Sequence, residues 1–79
     1  MIILLLSKLY NKDVVNKNTG EKLGKIRDVE IDEVSGKINC LLISQHQSIS
    51  SLIKKNKIKI SFDNIEKIGD EVILVNTLL

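Results

Sequence analysis

Few residues in this chain have a type and spacing that could do chemistry. Asp28, Glu30 and Asp32 are carboxylates two positions apart, so a regular strand would line them up on one face. Asp13 and Glu33 could lie nearby. Two such groups can act as general acid and base, but only inside a pocket that tunes them. The pattern favours a solvated strand face with Lys25 and Arg27 as neighbours, where ion pairs contribute little. Asp28 has a separate expected use: placed at a bend, its carboxylate can accept backbone N–H bonds and hold the bend. Cys40 and His46 are the only cysteine and the only histidine. A cysteine nucleophile needs histidine within hydrogen-bond reach and a third group to orient it, and the sequence supplies no third group. Cys40 therefore reads as a small buried apolar residue and His46 as a solvated loop residue. A metal centre needs three or four convergent ligands. Gly20 and Gly24 do not form a phosphate-cradling G-x-G-x-x-G. No catalytic residue, metal or cofactor is expected.

Binding offers more. Ile49, Leu52 and Ile53 are spaced i, i+3, i+4, and Lys54, Lys55, Lys57 and Lys59 follow at once. One helical turn would group the apolar three on one side, next to a cluster of positive charge. Such a knob could engage a protein groove, an acidic surface or an anionic membrane. It could equally cap the open end of a barrel while the lysines protect an edge strand. Both readings stand at this level.

Composition narrows the class. Seventy-nine residues make one domain, residues 1–79, and leave little room for a large cleft. Apolar residues at 43% and charged residues at 28% describe a globular protein. Twelve basic against ten acidic residues give a net charge of +2, too balanced to imply DNA binding. Aromatic residues at 3% leave no stacking platform for single-stranded RNA, though lysines can still contact phosphates without sequence preference. The opening run MIILLL stops at Ser7 and Lys8, short of the roughly 20 apolar residues a membrane span needs. It reads as a strand packed on the body or on a partner, in a chain expected to stay in the cytoplasm with its thiol reduced.

The positioning elements have the period of strands. Lys12–Asn16 is a short run with paired valines, followed by a Lys17-Asn18-Thr19-Gly20 turn. Glu21–Val34 carries its apolar or small positions at Leu23, Gly24, Ile26, Val29 and Ile31. Gly24 and Ile26 share one phase and Val29 and Ile31 the other. A one-residue slip at Arg27-Asp28 reconciles them, which is a β-bulge, and Gly24 permits close backbone approach just before it. Ser35-Gly36 marks a hairpin turn, and Lys37–Ser44 reads as a strand covered on both sides. Gln45–Asn56 reads as a loop. Lys57–Phe62 alternates, with Ile58, Ile60 and Phe62 pointing one way. Asp63-Asn64-Ile65-Glu66 resembles a capping box, and Ile65 and Ile68 are at helical spacing, so one short helical turn is expected near residues 63–68, ended by Gly69. Glu71–Asn76 is the last strand. The sum is an all-β fold, a small, partly open antiparallel barrel of five to six strands.

Three stretches together resemble one known family. They are Leu6-Ser7-Lys8-Leu9 with Lys12–Asn16, the block from Thr19 to Asp32 with Ser35–Ile38, and the closing run from Ile58 to Val75. All are similar to PRC-barrel domains, in particular the small single-domain sporulation-associated branch of the YlmC/YmxH type. The G-E-x-L-G-x-I-x-D block is the strongest element, and the resemblance covers roughly Leu5 to Asn76. The family usually carries a proline after the third strand and a glycine-rich loop with aromatics, where this chain has Ser44 and Gln45-His46-Gln47-Ser48-Ile49. It favours tryptophan where Phe62 stands, and Phe62 is expected to fill the same inward-facing role. The resemblance implies an interaction platform with no catalytic residues. One such barrel belongs to the photosynthetic reaction-centre H subunit; another is half of a ribosome-maturation factor and docks on a ribosomal protein. The expectation is a protein-interaction or structural module of a sporulating Gram-positive bacterium. A homodimer through the apolar N-terminal run and Leu78-Leu79 is expected. An RNA- or ribosome-associated module is the alternative.

Overall fold

The computed structural model describes residues 3–45 and 57–77. A single turn of helix, α1 (Leu6–Leu9), precedes six strands: β1 (Asp13–Asn16), β2 (Lys22–Ile31), β3 (Ile38–Gln45), β4 (Lys57–Ser61), β5 (Ile65–Ile68) and β6 (Val72–Val75). They form one sheet in the order β4-β3-β2-β1-β6-β5. The two outermost strands, β4 and β5, are consecutive in sequence and joined only by a 3-10 turn at Phe62–Asn64. From Ser61 to Ile65 the chain can reach at most about 14 Å. The sheet must therefore curl until its edges nearly meet at that end, which makes it a partly open barrel.

Curling requires strands that bend, and the register shows where they do. Ile26 pairs with Ile43 and Asp28 with Leu42, which leaves Arg27 as the extra residue of a bulge. The slip brings Ile26, which is buried, and Val29, which packs against the core, to the same side although they are three apart. Leu23 is a second extra residue, lying between the pairs Val14–Gly24 and Val15–Lys22. Nine apolar residues form the core: Leu9, Val14, Leu23, Ile26, Leu41, Ile43, Ile60, Ile73 and Val75.

Several local expectations are revised. The described part of the N-terminal run is not a strand: Ile3–Leu5 lack regular structure, and Leu6–Leu9 coil into α1, in which Leu9 alone is buried. One neighbouring pair, β1 with β6, is parallel. Crossing to β5 at the far edge brings the chain back through β6 beside β1, in the same sense. The helical turn is confined to Phe62–Asn64, because Ser61 caps it: its Oγ accepts from the Asp63 N–H at 3.3 Å. Starting that early frees Ile65 to pair with Val75, and residues 65–68 continue as a strand. Phe62, drawn into the turn, is 37% exposed instead of pointing inward. Ile31 is exposed too, at the end of β2, where the register with β3 shifts again and Asn39 is the extra residue.

The β2–β3 hairpin closes on Asp32. Its backbone N–H donates to the Lys37 carbonyl (2.8 Å) and its carbonyl accepts from Gly36 (2.7 Å). The Asp32 carboxylate accepts from the N–H groups of Val34 (2.9 Å) and Ser35 (3.4 Å). Those donors hold the Asp32 carboxyl below its ordinary range. Gly36 turns the chain at φ +79°. In the opposite loop buried Asn16 performs the same office, its Oδ1 accepting from the Asn18 N–H at 3.0 Å.

Two predictions follow from this backbone. Gly24 has φ +141°, and a Cβ there would overlap the Ser44 carbonyl oxygen and stand 2.9 Å from its carbon. Gly20 has φ +77° but open space around it. Gly24→Ala should cost about 2–4 kcal/mol in urea denaturation, against about 1–2 kcal/mol for Gly20→Ala, which meets only the left-handed backbone penalty. Equal losses would mean that the contact with β3 carries no weight. For Asp32, a lowered carboxyl stabilises the fold above the unfolded carboxylate range and stops doing so as pH falls through the lowered value. Asp32→Ala should therefore melt below wild type at neutral pH, with the gap closing on acidification below about pH 4. Asp32→Asn, which keeps the acceptor without the charge, should lack that pH dependence.

Candidate functional site

The three period-two carboxylates are brought to no common point. Asp28 is exposed, and its Oδ1 accepts from the Val29 N–H at 2.8 Å, within the bulge itself. Glu30 pairs with Lys59 at 3.2 Å, and Asp32 is spent on its turn. Asp13 lies across from Lys25 on β1, with Lys22 and Lys25 ammonium groups 3.3 and 3.8 Å from its Oδ1. Among the described residues no cluster of three or more potential metal ligands occurs.

Cys40 is a free, buried thiol that lies outside the apolar core cluster. Its register partners are Glu30 on β2 and Ser61 on β4, and cross-strand partners share a face. The Glu30–Lys59 ion pair thus lies over it. Burial pushes the thiol up from its ordinary value, and the Glu30 charge adds to that, while Lys59 opposes it. A raised thiol is a poor nucleophile.

Of the sequence-predicted interaction residues, Ile49, Leu52, Ile53, Lys54 and Lys55 lie outside the described residues, as does His46. Lys57 opens β4, opposite Ser44. Among the structural positions, Gly20, Gly24 and Gly36 have positive φ. Gly69 does not end a helix: it links β5 to β6, donating its N–H to the Val72 carbonyl at 2.8 Å.

A surface feature that sequence reasoning missed lies beside edge strand β5. A groove of about 580 Å³ runs along it, lined by the apolar side chains of Leu4, Phe62, Ile65 and Ile68 and by Lys12, with Glu66, Lys67, Gly69 and Asp70 completing it. Ile65 and Ile68 are three apart and would face opposite sides of a regular strand. Glu66 is an extra residue between the Ile65–Val75 and Lys67–Leu74 pairs, and this bulge lets both isoleucines reach the groove. Lys12 is only 9% exposed, and its Nζ donates to the Asp70 carbonyl oxygen at 2.6 Å. The apolar surface continues past Leu4 onto the N-terminal run. A spacing of three between Ile65 and Ile68 was the available signal, but it reads equally as a helix.

Among the described residues no helix is long and apolar enough to cross a membrane. The profile of the PRC-barrel domain family matches residues 1–78. A Bacillus subtilis protein named "Probable sporulation protein YlmC" is 36% identical over 74 residues, covering 92% of this chain and 91% of the relative. An uncharacterized protein of Clostridium acetobutylicum is 35% identical over 71 residues (90% and 82%). The uncharacterized protein YmxH of Bacillus subtilis is 32% identical over 73 residues (90% and 86%). A sheet that curls until its outermost strands meet through one short turn is what a barrel of this size requires, and with sequence similarity along nearly its whole length the chain belongs to the PRC-barrel domain family.

Proposed function

We propose that this protein is a non-catalytic binding module, a single barrel that acts in the cytoplasm by contact with protein and takes a second copy of itself as one partner. The observation that carries this reading is the exposure of four consecutive large apolar side chains: Ile3 at 76%, Leu4 at 42%, Leu5 at 62% and Leu6 at 41%. Contiguous apolar surface of that kind, with no second layer over it among the described residues, marks an association face. Leu4 connects it to Phe62 and Ile68 across the groove. The name of the YlmC relative supports a place in the sporulation of a Gram-positive bacterium.

Sedimentation velocity tests the reading. Ile3 and Leu5 lie outside the core cluster, so an Ile3→Ser, Leu5→Ser variant should keep its folding stability within about 0.5 kcal/mol. Wild type should dimerise in the micromolar range, and the variant at least about tenfold more weakly. A wild type that remains monomeric to about 1 mM overturns self-association. Co-sedimentation with ribosomes that falls steeply as salt rises would replace protein contact with the ribosome-associated alternative.

A further inference from the structure

We propose that the groove beside β5 is a binding site for a small apolar monocarboxylate, an acyl chain whose carboxylate meets Lys12 and whose hydrocarbon lies on Leu4, Phe62, Ile65 and Ile68. This goes beyond the association reading and does not depend on it. The proposal starts from Lys12. A charge taken out of water is stable only when it is paired or well hydrogen-bonded, and Lys12 is nine-tenths buried. Among the described residues its Nζ has one bond, to the Asp70 carbonyl oxygen. Among the described residues it has no carboxylate partner. An ammonium group has three donors, so two remain to be used, at the point where Lys12 and Asp70 both line the groove.

The other charges at the groove do not alter the balance. Glu66 is engaged by Lys17 at 3.3 Å. Lys67 and Asp70 are exposed on the rim with opposite signs, where solvent screens them. What remains is the ammonium of a nearly buried lysine, at the end of a largely apolar floor and with one carbonyl partner among the described residues. That selects the ligand. A neutral hydrocarbon covering the groove would finish desolvating Lys12 without compensating it. A phosphate dianion would bring two charges to one ammonium with no second cation buried beside it, and strong phosphate sites gather several donors. One carboxylate on an apolar chain satisfies both the charge and the floor. A volume of about 580 Å³ lies within the range of small-molecule sites.

The probe is decanoate, titrated below its micelle-forming concentration into ¹⁵N-labelled full-length protein, with 1-decanol as the neutral arm. Saturable amide shifts should centre on residues 65–70, and 1-decanol should bind at least about tenfold more weakly than decanoate. Lys12→Met should lose that preference and Lys12→Arg should keep it. The decanol arm uses the unaltered protein, so the result stands even if Lys12→Met disturbs the turn at Asp70. No saturable shift, shifts centred elsewhere, or equal binding of acid and alcohol overturns the proposal. None of these outcomes touches the sedimentation of the Ile3→Ser, Leu5→Ser variant, so the two readings fail separately.

Discussion

Joining β4 to β5 through three residues is a demand on the whole sheet. Neither strand pairs with the other; they sit at opposite ends of a six-stranded order, and the link brings their near ends within a few residues' reach. Flat strands cannot do this, and twist alone is slow to accumulate across β1, β4, β5 and β6, which are four or five residues long. The bend is concentrated at the extra residues Leu23, Arg27 and Glu66, each of which locally turns its strand. Gly24 stands between the first two, and its lack of a side chain lets β2 run against the Ser44 carbonyl of β3. The core is packed inside this curl by alternation on β1, β3 and β6, where Val14, Leu41, Ile43, Ile73 and Val75 are fully buried.

Bulges leave a phase jump in the sequence, and how far the fold can be read depends on whether that jump has a rival explanation. Between Ile26 and Val29 it had none: the run was too long and too alternating for a helix, so the slip at Arg27 was legible. Between Ile65 and Ile68 the same three-residue spacing followed Asp63-Asn64 and looked helical. The cap at Ser61, two residues before Asp63, starts the 3-10 turn early, and pairing with β6 takes over from Ile65. Phe62 is exposed for the same reason, since alternation carries it inward only if β4 continues. The parallel pairing of β1 with β6 leaves no local trace, because it is decided by which edge the chain crosses to. The groove was illegible for a related reason. Lys12 is held by a backbone carbonyl 58 positions away, and any residue at position 70 would offer that carbonyl.

Asp28, Glu30 and Asp32 show how a pattern that could carry chemistry is used up by architecture. Asp28 holds the backbone of the bulge it sits in, Asp32 holds the turn, and Glu30 pairs with Lys59 across two strands. That last pair is exposed and worth little by itself. Its position matters more than its energy. It lies over Cys40 on the side of β3 that the apolar core does not cover, shielding a thiol that burial has already made sluggish. The strand thus appears apolar on both faces in sequence, while only one face meets the core.

A domain of this size buries only about 60% of the surface its unfolded chain exposes, and among the described residues nine side chains form the apolar core cluster. Several large apolar residues among the described ones lie outside that cluster and are exposed. Val34 and Ile31 fall singly on the β2–β3 hairpin, which is ordinary for a protein surface. Ile3 to Leu6 fall together, next to Phe62 and Ile68, and that difference in grouping is what separates incidental exposure from a surface built for contact. The same shortage of interior explains Lys12. Its stem covers apolar surface that no spare leucine is available to cover, and its charge is carried into a half-closed space with only a carbonyl to meet it. A larger protein would place a second layer over this edge. Here, among the described residues, nothing covers the edge of β5 or the side chains of Ile3 to Leu6.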